Sequence, residues 1–317
     1  MKKKIGIVGL NKKLKNFLDK KFKKFEFLKI QDSNLFNRKS LKINALVIIY
    51  EYPLKKRLSY FLTKGFSSFK KLEWLHLSRA GVDECEPYLS KYNFKFSAGK
   101  KIQAPNVSEH CLSLLLSLTR GLFDQLNSKK YALRPTEIKD KKILVVGLGG
   151  IGEEIAKKLY YFGAEISSVA RTKKRKFFIK KNFSLKTVQK DLKRFDIIIN
   201  SLPQTKDTIN FFNKKIFSKM KYKVIFISIS RDKVINLQDL KLFLKKKKFF
   251  GVAIENTGSF KMGHQIIYNK NLNFIISNHL GGITTNNSRR IELALHNISS
   301  YIAGKKIKNI VSKNYKY

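Results

Sequence analysis

The stretch KKILVVGLGGIGEEIAKKL, residues 141–159, limits what this chain can fold into more than any other. A buried-strand pattern runs straight into Gly147, Gly149 and Gly152 and then into a helical pattern. Each glycine has a task in such a turn. Gly147 permits the tight bend, Gly149 lets backbone approach a diphosphate with no Cβ in the way, and Gly152 lets the helix pack close to the strand. The helix start, with Gly150 and Ile151, then points unpaired N–H groups and a positive dipole end at the phosphates. Glycine turns are common, so the motif counts because the strand before it and the helix after it are both present. It implies a Rossmann-type unit that binds a dinucleotide. The rival glycines, Gly6 and Gly9 in IGIVGL, lack a third member and are followed by lysines, so they read as an ordinary strand end.

The next strand bears on which dinucleotide. For NAD, an acidic residue about 20 positions after the glycines accepts hydrogen bonds from the ribose hydroxyls. Here AEISSVA ends at Ala170 and is followed by Arg171, Thr172, Lys173 and Lys174. No carboxylate repels a 2′-phosphate, and a guanidinium and a hydroxyl stand ready to bind one. NADP(H) is therefore favoured, with NAD(H) left open.

A chain of 317 residues exceeds one comfortable core, and 43% apolar residues suffice to fill two. Strand-like runs alternate with helix-compatible segments in the first hundred residues (KIGIVGL, NALVIIY, LEWLHLS, FKFSAG). They alternate again from Lys139 (KKILVVG, AEISSVA, FDIIIN, KVIFISIS, FFGVAIE, NFIISN). Such alternation predicts α/β architecture with parallel sheets covered on both faces. Between the two series, PNVSEHCLSLLLSLTRGLF, residues 105–123, predicts one uninterrupted helix, apolar nearly all round, with Ser108 or Asn106 as N-cap. It is either a core helix or a connector between domains or subunits. Near the end, SRRIELALHNISSYIAG predicts an amphipathic helix closed by Gly304.

The formal charge of +45 would suggest nucleic acid or an anionic membrane if the lysines formed one stripe or tail. They lie between apolar stretches throughout, as on a solvated lysine-rich surface that helps attract anionic substrates. Cys85 and Cys111 are far apart and carry no metal or redox spacing, so neither a disulfide framework nor a metal site is expected. The apolar run IGIVGL is shorter than the ~7–15 residues of a signal-peptide core. No stretch approaches the ~20 apolar residues of a membrane span, and a cytoplasmic protein is expected.

Motifs in order along nearly the whole chain resemble the D-isomer-specific 2-hydroxyacid dehydrogenases, the group that includes glyoxylate/hydroxypyruvate reductases and phosphoglycerate dehydrogenases. SRAGVDE, residues 78–84, is similar to that family's substrate loop and NVSEH to the start of its interdomain helix. INSLPQTKDTINFF, with Leu202, Pro203 and Thr208, is similar to its cofactor loop. ISISRDKVI carries Ser230 and the family's arginine as Arg231, and ISNHLGG carries its histidine as His279 with Gly281 beyond it.

The resemblance implies two doubly wound parallel-sheet domains. A Rossmann NAD(P)-binding domain (105–283) is inserted into a flavodoxin-like substrate domain (1–104 plus 284–317), with the active site between them and a homodimer as the assembly. It implies hydride transfer between NAD(P) and a small anionic 2-oxo or 2-hydroxy acid. Charge building on the carbonyl oxygen calls for a fixed cation and a proton donor. Arg231 is matched to the carboxylate-binding arginine and His279 to the general acid/base. Backbone N–H groups of Arg79, Ala80 and Gly81 are expected to hold the substrate carboxylate; Arg79 adds a second cation or is a surface residue.

One departure stands out. In GVAIENTGSFKMG, ungapped matching puts Glu255 where the family has an Asp, Phe260 where it has the Glu that hydrogen-bonds the histidine, and Lys261 at the following Pro. Glu255 is left to meet the nicotinamide amide or to turn to His279. Without the carboxylate partner, the rate is expected to fall as pH rises through about 6.5. An NADPH-dependent reductase is the leading expectation. The alternatives are a catalytically weak NADP(H) sensor or scaffold of the same fold and, further off, a basic nucleic-acid-binding protein.

Overall fold

A computed structural model describes residues 2–50, 54–127, 135–172, 175–258, 266–269 and 273–312. The chain forms two compact units, one from Met1–Gln103 and Thr285–Lys316, the other from Ala104–Thr284.

The first unit opens with β1 (Lys3–Val8), α1 (Lys12–Lys21), β2 (Phe25–Ile30), β3 (Ala45–Ile48), α2 (Lys55–Thr63), β4 (Trp74–Leu77) and β5 (Lys95–Ala98). Its strands pair in parallel in the order β2-β1-β3-β4-β5, the order of a flavodoxin-like doubly wound sheet. β3 and β4 are buried along their whole length; β3 therefore reads as an unbroken apolar run, and β4 buries His76 among its apolar residues. β2 did not read as a strand. It lies at the sheet edge, and FEFLKI interrupts its apolar residues with Glu26 and Lys29.

The second unit contains α3 (Ala104–Arg120), α4 (Leu122–Asn127), β6 (Lys142–Val146), α5 (Gly150–Tyr161), β7 (Glu165–Val169), β8 (Lys181–Phe183) and β9 (Ile197–Asn200). It continues with α6 (Lys214–Lys219), β10 (Val224–Ser228), α7 (Leu237–Lys245), β11 (Phe249–Glu255), β12 (Ile266–Asn269) and β13 (Phe274–Ser277). The sheet order is β12-β13-β11-β10-β9-β6-β7-β8. The chain moves outward from β6 through β7 to β8, then returns to place β9 on the other side of β6. That reversal is the switch point of a Rossmann sheet. All neighbours are parallel except β12, which pairs antiparallel with β13 at the edge. The chain then returns to the first unit as α8 (Ser288–Ile302), whose Ala294 and Ile298 pack on Ile5, Val47 and Trp74.

The helix expected over residues 105–123 differs in three ways. It begins at Ala104, it is broken at Gly121 (φ +64°), and α4 continues beyond the break. Neither expected N-cap serves as one: Ser108 Oγ donates to Pro105 O at 2.7 Å, and Asn106 Nδ2 donates to Gly281 O at 2.8 Å. Its apolar side, with Cys111, Leu114, Leu115 and Leu118, packs in one core with Ile155 and Leu159 of α5 and Ala253 of β11. Glu109, Ser113 and Arg120 are exposed.

Candidate active site

Strand register brings the candidate residues of the second unit to one edge of its sheet. Val146 pairs with both Val169 and Asn200, Asn200 pairs with Ser228, and Glu255 pairs with Ser277, so these strands end side by side. In open α/β sheets ligands bind outside such carboxyl ends, at the switch point.

At that point the three glycines of the turn differ in the space around them. Gly147 has φ +101°, and a Cβ there would come within 2.9 Å of the Ser201 carbonyl. A Cβ on Gly152 would sit 1.9 Å from Gly147 O, so α5 lies on the turn only because that Cβ is absent. Gly149 is the opposite case. It is the exposed N-cap of α5, and a Cβ there would meet nothing within 4 Å. Open space in front of helix N–H groups is what a diphosphate needs, so the turn fits a dinucleotide. Gly150 and Ile151 form the first turn of α5 and are half-buried.

The loop after β9 closes over this turn. Ser201 Oγ donates to Gly147 O at 2.7 Å, and Leu202 N donates to Asn200 Oδ1 at 3.0 Å. The Ser230 hydroxyl donates to Leu202 O. Thr208 Oγ1 donates to Pro203 O at 2.7 Å and accepts from Thr205 N at 2.8 Å. Leu202, Pro203, Thr208 and Ser230 are thus one hydrogen-bonded assembly. At the end of β7, Arg171 and Thr172 are exposed, and Lys173 lies outside the described residues.

Arg231 follows β10 in extended conformation (φ −117°, ψ 144°) and is half-buried. Its neighbour Asp232 ties that loop to the end of β11: its carboxylate accepts from Thr257 N at 2.9 and 3.1 Å, and its N–H donates to Thr257 Oγ1 at 3.1 Å. His279 follows β13, is exposed, and holds a left-handed backbone (φ +53°).

Glu255 is held by groups that the sequence expectation did not name. It is 6% exposed, and His110 Nε2 of α3 stands 2.9 Å from Oε2 while Gly281 N donates to Oε1 at 2.8 Å. Ser277 Oγ donates to Oε2 at 3.4 Å. Burial alone would push this carboxyl up, but the adjoining His110 imidazole, the Gly281 amide and the charge of His279 outweigh it and hold the group below its ordinary value. Phe260 and Lys261 lie outside the described residues; the sequence NTGSFKMGHQ that follows Glu255 contains no Asp or Glu. His110, Ser277 and Asn106 were missed by sequence reasoning. The available signal was a lone imidazole in a leucine-rich helical run.

Arg79, Ala80 and Gly81 belong to the first unit, half-buried at the carboxyl end of β4, with Arg79 O accepting from Gly99 N at 2.7 Å. Behind them runs a buried chain. Trp74 Nε1 donates to Ser97 Oγ at 2.9 Å, Ser97 Oγ is 2.9 Å from His76 Nδ1, and His76 Nε2 is 3.1 Å from Ser78 Oγ. Burial pushes His76 down to about 4. Among the described residues no group of three or more His, Cys, Asp and Glu could hold a metal ion, and no helix is long and apolar enough to cross a membrane.

A family model described as D-isomer specific 2-hydroxyacid dehydrogenase, NAD binding domain, matches residues 112–281. A glyoxylate reductase of Pyrococcus furiosus is 26% identical over 224 residues, 65% of this chain and 65% of that protein. Sequence matches of this kind span 34% to 65% of the relatives' own lengths. Among solved structures, the holo form of Rhodotorula graminis D-mandelate dehydrogenase has a TM-score of 0.81 at 16% identity, covering 100% of this chain and 99% of that one. An NADPH-dependent glyoxylate/hydroxypyruvate reductase from Sinorhizobium meliloti, solved with NADP and sulfate, has a TM-score of 0.77 at 18% identity, covering 100% of both chains. These structural likenesses show the same fold.

Proposed function

Because the chain belongs to the D-isomer specific 2-hydroxyacid dehydrogenase family, we propose that it is an NADPH-dependent reductase converting a small 2-oxo acid to its D-2-hydroxy acid. One observation carries this reading: the glycine turn leaves open space at Gly149, on the sheet edge that also bears Arg231 and His279. Gly147, Gly149, Gly150, Ile151 and Gly152 would hold the diphosphate, with Leu202, Pro203, Thr208, Ser230, Glu255 and Gly281 shaping the rest of the site. Arg171 and Thr172 would take the 2′-phosphate. When bound, NADPH supplies hydride to the substrate's carbonyl carbon. In this reading the Arg231 guanidinium grips the substrate carboxylate with its planar fork and polarises the carbonyl. His279 then gives its proton to the oxygen as charge builds there. The N–H groups of Arg79, Ala80 and Gly81, the loop that resembles the family's substrate loop, would bind the carboxylate. Glyoxylate and hydroxypyruvate are the first acids to try, since relatives are named for them.

The test is loss of NADPH absorbance across a panel of 2-oxo acids. Arg231→Ala and His279→Ala are each expected to lower kcat/KM at least about a hundredfold. Arg171→Ala is expected to narrow the preference for NADPH over NADH. The absence of any carboxylate in the ten residues after Glu255 favours one rival, a dinucleotide sensor. NADPH binding with no turnover of any acid would establish that rival instead.

A further inference from the structure

Gly281, two residues beyond His279, has both of its backbone polar groups held by side chains. Its N–H donates to Glu255 Oε1 at 2.8 Å, and its carbonyl accepts from Asn106 Nδ2 at 2.8 Å. On the near side of His279, Asn256 Nδ2 donates to Asn278 Oδ1 at 2.9 Å. The histidine, itself left-handed in backbone, therefore sits in a short loop pinned on both flanks.

The carboxylate that holds the far flank is itself held. A carboxylate accepts only, so the His110 ring presents its Nε2–H to Glu255 Oε2 at 2.9 Å, with Ser277 Oγ 3.0 Å from the same nitrogen. Around the carboxylate stand His110 and Cys111 of α3, Ser277 of β13, and His279 and the Gly281 amide of the loop. The fit is close: a Cβ on Gly281 would come 3.1 Å from His110 Cδ2 and 3.3 Å from Glu255 Oε2. Two apolar side chains could fill this space without the desolvation cost of a buried carboxylate. What the pair adds is a fixed direction for the Gly281 amide.

We propose that His110 is a positioning residue for the proton transfer assigned above to His279. It holds one oxygen of Glu255 so that the other stays on the Gly281 N–H and fixes the loop presenting the histidine. This rests on the reductase reading, and it gives α3 a part in the chemistry through a side chain that touches no reacting atom. Glu255 thus acts on His279 through the loop backbone as well as through its charge.

The experiment uses the full chain with NADPH and glyoxylate. His110→Leu is expected to lower kcat about tenfold to a hundredfold, with the Kd for NADPH within about threefold of wild type. His110→Gln, whose amide N–H reaches the same oxygen, is expected to recover most of the loss. Wild-type kcat in His110→Leu would overturn the proposal. So would equal loss in both variants in proportion to a fall in Tm, since that is a purely structural role. Should the wild type bind NADPH and reduce no 2-oxo acid, the reductase reading fails, and the clamp is read alone by NMR hydrogen exchange at the Gly281 amide. Exchange about tenfold faster in His110→Leu than in His110→Gln supports the clamp, and equal rates sink it.

Discussion

Gly149 and Gly152 lie in one turn and tolerate a side chain very differently. Gly149 has an extended backbone (φ −78°, ψ −163°) that any residue adopts, and a Cβ there would enter empty space. Gly149→Val is therefore expected to keep the wild-type Tm while weakening NADPH binding about tenfold or more, because the added methyls fill the diphosphate's place. Gly152→Ala puts a Cβ 1.9 Å from Gly147 O. The backbone must shift, at about 1–3 kcal/mol, so this variant is expected to lose both Tm and binding. Thermal melts beside fluorescence titrations separate the two outcomes. These glycines were legible in the sequence because their constraint is local, a matter of what one turn lets its own residues carry. His110 was not legible in that way, since its meaning depends on Glu255 and Gly281, which only folding brings beside it.

At the scale of elements, burial on both faces made the inner strands readable and the edges hard to read. The strands that pattern reading missed, β2, β8 and β12, all lie at sheet edges. An edge strand meets solvent, so Glu26 and Lys29 in β2 or Lys181 in β8 break the apolar run at no cost to the fold. The helix over the central leucines was legible, whereas its break was not. Gly121 has φ +64°, and a Cβ there would meet nothing within 4 Å, so a side chain at this position faces backbone strain and no crowding. Gly121→Ala is expected to cost about 1 kcal/mol in urea unfolding. No change would show that the helices accept another junction. A glycine inside an amphipathic pattern reads as a tolerated flaw as readily as a stop, and the distinction lies in the packing on either side.

For the molecule as a whole, the pH dependence of stability follows from a group outside the proposed chemistry. His76 is fully buried among Ser97, Ser78 and Trp74, and burial holds it at about 4 against an ordinary 6.5. As pH falls from about 6.5 to about 4, the unfolded chain takes up a proton that the folded chain refuses, so about 3 kcal/mol of stability is lost across that window. The carboxylates held below their ordinary values, Glu73, Asp196 and Glu255, lose their contributions only at lower pH, as the unfolded forms near 4 protonate first. Melts from pH 7 to 4.5 should show the early loss in wild type and a flatter slope in His76→Gln; parallel slopes would remove His76 as the cause. The surplus of 67 basic over 22 acidic side chains adds self-repulsion throughout. By itself the sequence determined the two α/β units, the phosphate-binding turn and the order of the motifs, because periodicity and glycine geometry are properties of neighbouring residues. Only the tertiary structure decided what surrounds Glu255, where α3 breaks and which histidine is sealed from water. Those depend on distant segments packing together, and no local pattern records them.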